Sequence, residues 1–583
     1  MRYGQFDEIW GVDSEWGFRS RRIDFESAFV PVIICFTGLL AGGRVHFWGA
    51  DPMIKDFIAG HGGDLFVAHA AIAEMKYLAR QRCPLPKHWY DTFAAERYVT
   101  NAPGVLDAGL SSVLHRRGLP HRAPIEKETL RQQILHLELD LDDPECQREV
   151  SEYCYSDTDG CLALFEEQTR NLVMNPATMA WWTEYEKAIA RMELRGIPFA
   201  VDEYADIIDR WPEIRELLAR GGEGTPEVFV NGRFDAGRFT QWYRAQGIAW
   251  PTRLSNTTGR AYTSYDDEAM KLMEGRHPVI AMVRQIKKTL TRFNRRALVV
   301  DPQTRRHYSS TVVFRSVTGR NQPKDFIFSG PKWMRYLIVP PSPDHVLVYV
   351  DYVAQEIGIA AGLSGDSQMR EVYAANDCHM SFAVRAGGAP NGATKQTHPA
   401  ARKKYKQVNL GVLYGQTEYG ISQRLGIPRG EARTLLEDHR RLFPGFWVWS
   451  ERMVQGAFDR GYITTPCGWR CRVPPYSNER TWMNWPMQST GADIMRLTVV
   501  YLDRQGVQLL APVHDGFLLT CTRPEIPALR AAVDYACAAA VEHVLPGFPL
   551  KWDFTVYEER FEDEDGLPLW RRLMSAMEAL ARA

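Results

Sequence analysis

From Arg402 to Gly415 the sequence reads Arg-Lys-Lys-Tyr-Lys-Gln-Val-Asn-Leu-Gly-Val-Leu-Tyr-Gly, so that Arg402, Lys406, Leu410 and Tyr414 recur every fourth residue. At ~3.6 residues per turn these four drift slowly around one helix face about 18 Å long. Two cations, an apolar group and an aromatic ring, in that order, suit a triphosphate followed by a base. A merely solvated basic face would not put Leu410 and Tyr414 on the same stripe. Asp351 ends the apolar run His345 to Val350, and His514-Asp515-Gly516 separates Leu509 to Val513 from Phe517 to Thr520, with Asp-Gly as a hairpin signal. A strand end beside a hairpin tip is how two carboxylates 164 residues apart can meet. Near the start, Asp13 and Glu15 sit two apart on a strand and project from one face, where they could share a divalent cation. Tyr153 and Asp157 stack at i,i+4 on a helix predicted from about Arg148 to Gln168.

The elements that must position these groups follow from length and pattern. The chain has 583 residues, enough for three or four units with separate cores. Its 45% hydrophobic and 24% charged content excludes disordered, collagen-like and coiled-coil classes. With 70 basic against 71 acidic residues, binding of nucleic acid requires a locally basic cleft. The uncharged stretch between Glu26 and Arg44 is too short and too broken by Pro31 and glycines for a membrane span. Strand residues begin within the first ten positions, leaving no room for a targeting peptide, and a cytoplasmic location is expected. The ten cysteines are scattered; Cys467 and Cys471 lack a second pair for zinc, and reduced, mostly buried thiols are expected. Short apolar runs alternate with helices to about residue 170, giving an α/β domain. A helix near Trp181 to Arg195 is stopped by Gly196 and Pro198, a mostly helical region reaches about 300, and a second α/β unit spans Thr311 to Ala511. Asp91-Thr92 reads as a helix N-cap, and Glu558 to Asp565 as a solvated acidic surface.

The spacing R-x3-K-x7-YG from Arg402 resembles the O-helix of the family A DNA polymerases (DNA polymerase I, Klenow-fragment-like), and neighbouring motifs fit in order. Asp351-Tyr352-Val353-Ala354-Gln355-Glu356 and His514-Asp515 resemble the two metal-binding motifs. The resemblance implies that Asp351, the Tyr352 carbonyl and Asp515 hold two Mg2+, with Mn2+ as a substitute. It also implies that Tyr352, Gln355, Glu356, His379, Arg402, Lys406, Leu410 and Tyr414 bind the nucleotide, with Glu356 as a steric gate against ribose and His379 in a D-x-H motif. Arg320 in Thr-Gly-Arg, together with Arg480, Asn484, Gln488 and His514, is implied at the template and primer end. Glu184 to Asp202 resembles the opening of the polymerase portion. The basic group Arg284, Lys288, Arg292 and Arg295 shares a helical face suited to tracking duplex phosphates.

At the front, Asp13 and Glu15, then Glu74, then Tyr153 and Asp157 resemble the three motifs of the DEDDy 3′-5′ exonucleases. The carboxylates Asp13, Glu15, Glu74 and Asp157 would hold two metal ions and Tyr153 would orient water on single-stranded DNA. The implied architecture is α/β multidomain, an RNase H-like exonuclease domain followed by a right-hand polymerase. Its segments are 1–175 exonuclease-like, 176–310 thumb and connecting helices, 311–375 palm first part, 376–445 fingers, and 446–583 palm second part. The implied activity is two-metal, template-directed addition of dNTPs to a primer by a monomer, with proofreading, as in phage enzymes without a 5′ nuclease domain. A processivity factor is not identifiable. The departures are Glu74 for the usual Asp, Ala70 for Asn, Gly516 for the Glu after the hairpin aspartate, and Leu410 for Phe or Tyr. Gly516 implies weaker tuning of the metals, and Leu410 implies discrimination against 3′-deoxy terminators. The rival readings are a single-subunit RNA polymerase, against which Glu356 and the front motifs speak, and an inactive DNA-binding scaffold.

Overall fold

The computed structural model describes residues 4–19, 28–104, 107–121, 124–170, 176–220, 225–254, 260–274, 276–293 and 298–582. It divides into two compact units, a coarser partition than the five expected segments. The larger comprises Met1–Gly196, Ser310–Lys324 and Tyr349–Thr555; the other comprises Ile197–Ser309, Asp325–Val348 and Val556–Ala583. Among the described residues no helix is long and apolar enough to cross a membrane. All ten cysteines are free, eight of them buried.

In the larger unit, strands Ile9–Phe18 (β1), Phe29–Gly38 (β2), Arg44–Trp48 (β3), Leu65–Ala68 (β4) and His88–Asp91 (β5) form a sheet in the order β3-β2-β1-β4-β5. β1 pairs antiparallel with β2 and parallel with β4. Helix Ile72–Arg80 (α1) follows β4, helix Thr92–Thr100 (α2) follows β5, and helix Pro144–Arg170 (α3) packs across β1. The close approach of α3 depends on Gly11, where a Cβ would lie 2.7 Å from both the Thr158 carbonyl oxygen and Leu162 Cγ. Thr37 and Thr158 hydroxyls bond at 2.6 Å beside that crossing. Asp91 caps α2, accepting from the N–H groups of Phe93 at 2.7 Å and Ala94 at 3.3 Å, as the Asp-Thr step predicts. The same carboxylate accepts from Ala70 and Ala71 N–H at 3.0 and 3.1 Å, fixing the turn into α1. The far end of α2 is tied down too: Asn101 Nδ2 donates to the carbonyls of Val317 and Arg470, each at 2.8 Å.

Helix Pro176–Arg195 (α4) leads on, and the second half of this unit is built on strands His345–Tyr352 (β6), Gln508–Val513 (β7), Gly516–Thr522 (β8) and Trp552–Tyr557 (β9), in the order β7-β8-β6-β9. Helices Gln355–Ser364 (α5), Cys378–Arg385 (α6), Pro399–Leu413 (α7) and Glu479–Arg504 (α8) accompany it. The hairpin β7-β8 turns one residue earlier than the Asp-Gly step suggests. Val513 pairs with Gly516, and the left-handed residue is His514, at φ 56°. Gly516 is needed for proximity rather than for a turn conformation, because a Cβ there would lie 2.6 Å from the Val350 carbonyl oxygen and 2.9 Å from Asp351 Oδ1.

The centre of α8 is buried on every face, and it includes a charge. Arg496, 2% exposed, pairs with Asp493 one turn away and donates to the Gly319 carbonyl in the Thr318-Gly319-Arg320 loop. Its guanidinium lies 5.1 Å from the Phe314 ring centroid, within the Trp182, Phe314 and Trp469 cluster.

In the smaller unit the basic helix runs Pro278–Arg292, so Arg295 falls outside both the helix and the described residues, as does the Arg292 side chain. Arg284 does not stand open to phosphates. It is paired with Asp267 at 2.8 Å and Glu274 at 2.7 Å, acids of a neighbouring helix that the local count of cations did not include. Lys288 is half-buried. The acidic run Glu558 to Asp565 is largely exposed, as expected, but is pinned at Asp563, which pairs with Arg335 and whose carbonyl accepts from the Tyr336 hydroxyl at 3.0 Å, and at Arg560, which pairs with Glu203 at 3.1 Å.

Replacing Arg496 with Ala leaves Asp493 charged and buried without its partner, and should cost about 3–5 kcal/mol. A lower urea midpoint than that of the parent chain would report it, and Arg496→Met combined with Asp493→Leu should recover much of the loss.

Candidate functional site

The two remote aspartates meet in the larger unit. The Tyr352 N–H donates to the Asp515 carbonyl at 3.1 Å, joining the end of β6 to the tip of the β7-β8 hairpin. Above them opens a cavity of about 1600 Å3 whose wall includes Asp351, Asp515, Glu356, His379, Arg402, Lys406 and Leu410. Gln355 also lines it but is 2% exposed. Tyr352 contributes backbone, since its phenol is buried against Thr498 Oγ1 at 2.9 Å. Burial first, then the charges of Asp515 and Asp553, push the Asp351 carboxyl up to about 7, against a hydrogen bond from the Tyr349 hydroxyl at 3.5 Å.

The expected stripe runs along α7. Arg402, Lys406 and Leu410 face the cavity, and Tyr414, the helix C-cap, stands exposed at its end. Arg402 is tied to Asp377, which also caps α6 through His379 and Met380 N–H at 3.1 and 3.0 Å. One carboxylate thereby orients both the arginine and the histidine of the phosphate-sized end. His379 is 5% exposed, and its Nδ1 is buried without a hydrogen-bond partner among the described residues. Burial, then Lys406 and Arg402, pushes its imidazole down to about 4, so the ring is neutral at physiological pH. At the other end the Tyr414 hydroxyl donates to Glu356 at 3.0 Å and accepts from Gln488 Nε2 at 3.1 Å, while Arg320 lies 4.0 Å from Glu356. Burial raises the Glu356 carboxyl despite the Tyr414 bond and Arg320. The implied primer-end residues Arg320 and Gln488 therefore gather at Glu356. Asn484 is buried on the same helix as Gln488, and Arg480 and His514 are exposed.

In the front domain, carboxylate oxygens of Asp13, Glu15 and Asp157 lie within 4.8 Å of one another. Glu74 is buried beside them on α1; burial and the Asp13 charge hold its carboxyl well above the usual range, and its Oε2 has no hydrogen-bond partner among the described residues. Tyr153 is 2% exposed, and burial followed by the charges of Glu15 and Asp157 raises its phenol. Ala70 sits at φ 66°, in the turn held by Asp91. Both oxygen-only donor sets suit a hard divalent cation. Sequence reasoning missed Tyr349 and Asp553 beside Asp351 and the tie between Asp377 and Arg402. The Asp377–Arg402 tie spans 25 residues and Asp553 approaches Asp351 only through the sheet, so neither shows in local spacing.

Residues 248–558, just over half of the chain, match the family model for DNA polymerase family A. DNA polymerase I of Lactococcus lactis subsp. lactis is 29% identical over 222 residues, which is 35% of this chain and 25% of that protein. The thermostable DNA polymerase I of Thermus aquaticus is 33% identical over 230 residues, 37% of this chain and 27% of the relative. That of Thermus filiformis is 28% identical over 330 residues, 52% and 38%. The chain spans about a quarter to two-fifths of the length of these curated relatives. The solved polymerase domain of Pol1 from M. smegmatis, in complex with DNA primer-template and dNTP, superposes with a TM-score of 0.69 at 19% identity, covering 96% of each chain, which shows the shared fold.

The raised Asp351 carboxyl has a sign that can be checked without any reaction. The folded state disfavours its ionised form, so the stability Asp351 contributes is complete below about pH 4, the unfolded range, and is lost as pH rises through about 7. In metal-free buffer, the stability of Asp351→Asn relative to the parent should rise from pH 4 to 7 and stay level above, as read by urea unfolding at each pH.

Proposed function

This chain belongs to DNA polymerase family A, and on that basis we propose that it is a template-directed DNA polymerase that extends a primer with deoxynucleotides. The observation that carries the reading is the meeting of Asp351 and Asp515, joined through the Tyr352 N–H bond, beneath the cationic stripe of α7. Lys406 and Arg402 receive the triphosphate, neutralising charge that grows on the departing pyrophosphate. As the primer 3′-hydroxyl releases its proton to solvent and its oxygen bonds to the α-phosphorus, the bond to pyrophosphate breaks and Lys406 gives its proton to the leaving group. His379, neutral, donates a hydrogen bond from the same wall without adding charge. Asp351, Asp515 and the Tyr352 carbonyl would hold Mg2+, which when bound lowers the pKa of the attacking hydroxyl and offsets phosphate charge. Glu356, braced by Tyr414, occupies the place a ribose 2′-hydroxyl would need, which favours dNTPs. Leu410 offers no ring hydroxyl there, which supports discrimination against 3′-deoxy terminators. Primer-template duplex would lie against Arg320, Arg480, Asn484, Gln488 and His514. The division into exonuclease-like, thumb, palm, fingers and palm segments is part of the same proposal.

For the front domain we propose 3′-5′ removal of nucleotides from single strands. Asp13, Glu15, Glu74 and Asp157 would hold the metal ions, and Tyr153 would orient the attacking water. The support is the close Asp13, Glu15 and Asp157 group, with the unpartnered Glu74 oxygen beside it.

On a primed template with Mg2+, the parent should incorporate dNTPs in preference to rNTPs, and Asp351→Asn or Asp515→Asn should reduce extension by about a thousandfold or more. Lys406→Ala should lower kcat by about a hundredfold or more. Preference for rNTPs, or extension by Asp351→Asn at the parent rate, would overturn the reading. Asp13→Ala should abolish degradation of a labelled single strand while leaving extension in place; degradation that persists would remove the front-domain assignment.

A further inference from the structure

Six acidic residues line the cavity under α7: Asp351, Glu356, Asp377, Asp515, Asp534 and Asp553. Three are already engaged. Asp377 is tied to Arg402, Glu356 accepts from Tyr414, and Asp534 accepts from Trp552 Nε1–H at 2.8 Å and faces Arg530 at 3.3 Å. Asp351, Asp515 and Asp553 have no cation beside them among the described residues, and Asp553 makes no side-chain hydrogen bond there either.

The placement of Asp553 follows from strand pairing. β9 lies next to β6 in the sheet. The Val353 N–H donates to the Lys551 carbonyl at 2.8 Å, and the Tyr352 and Trp552 ring centroids are 6.3 Å apart. These two pairs, 353 with 551 and 352 with 552, run in opposite chain directions, so the strands are antiparallel and the next pair in register is Asp351 with Asp553. Side chains alternate along a strand, and both carboxylates therefore leave the face opposite the Tyr352 and Trp552 rings, with Cβ atoms about 5 Å apart. Like charges directly opposite one another destabilise a sheet. A divalent cation turns that repulsion into a shared ligand set. The hairpin cannot supply a further acid at the neighbouring position, since Gly516 has no room for even a Cβ against Asp351 and Val350.

We propose that Asp553 is the third carboxylate of the polymerase metal set, acting with Asp351 and Asp515. This rests on the polymerase reading of the same cavity. Its exposed position on β9 means that Asp553→Asn should leave folding intact.

The test compares Asp553→Asn and Asp553→Glu with the parent, all carrying Asp13→Ala and Glu15→Ala so that front-domain carboxylates add no metal binding. In calorimetric titration of the DNA-free protein with Mn2+, Asp553→Asn should bind about tenfold more weakly, and the Mg2+ concentration for half-maximal primer extension should rise by a similar factor. Asp553→Glu should recover most of both. Mn2+ affinity and a Mg2+ curve equal to the parent's would overturn the inference. So would slower extension with an unchanged Mg2+ curve, which would make Asp553 merely structural. Failure of the polymerase reading looks different, because Asp351→Asn in the same background would then extend at the parent rate.

Discussion

A single backbone hydrogen bond, Tyr352 N–H to the Asp515 carbonyl, joins residues 163 apart in the chain and sets where the groups around the cavity stand. The hairpin tip has to reach the end of β6, so Gly516 is bare, and the left-handed conformation falls on His514. With the tip so close, the Asp351 carboxyl is both half-buried and crowded by like charge, an arrangement that is unfavourable in the empty protein and becomes favourable with a cation present. The cationic stripe of α7 lies over the same cavity, where negative charge from phosphates and positive charge from side chains can balance.

The cations themselves are held in place by acids. Asp377 fixes Arg402 and starts the helix that carries His379, and Glu356 fixes Tyr414 at the other end of the stripe. This cavity wall is therefore preorganised at both ends, while Lys406 between them stands exposed. Preorganised donors cost little rearrangement when charge develops on a substrate.

Much of this was legible in the sequence because its signals are periodic or local. The i,i+4 repeat from Arg402 to Tyr414, the alternation that puts Asp13 and Glu15 on one face, and the Asp91-Thr92 cap each need only neighbouring residues. What stayed hidden depends on pairing between distant segments. Asp553 meets Asp351 only once β9 is laid against β6, and Arg284 meets Asp267 and Glu274 only when two helices pack. The pinning of Asp563 within the exposed acidic run was hidden because its partner Arg335 lies 228 residues earlier. The hairpin was legible from Asp-Gly, but that its two-residue tip is His514-Asp515, with Gly516 already paired to Val513, is a matter of strand register.

Helix α2 links the two halves of the larger unit. At one end Asp91 grips the turn that carries Ala70 and leads to Glu74; at the other Asn101 bonds the carbonyls of Val317 and Arg470, and Arg97 bonds that of Phe314. The front α/β domain is thus part of the foundation under the Thr318-Gly319-Arg320 loop. Cutting it away would strip those carbonyls of their donors and open the tryptophan cluster to water, so single substitutions are the cleaner way to probe either half.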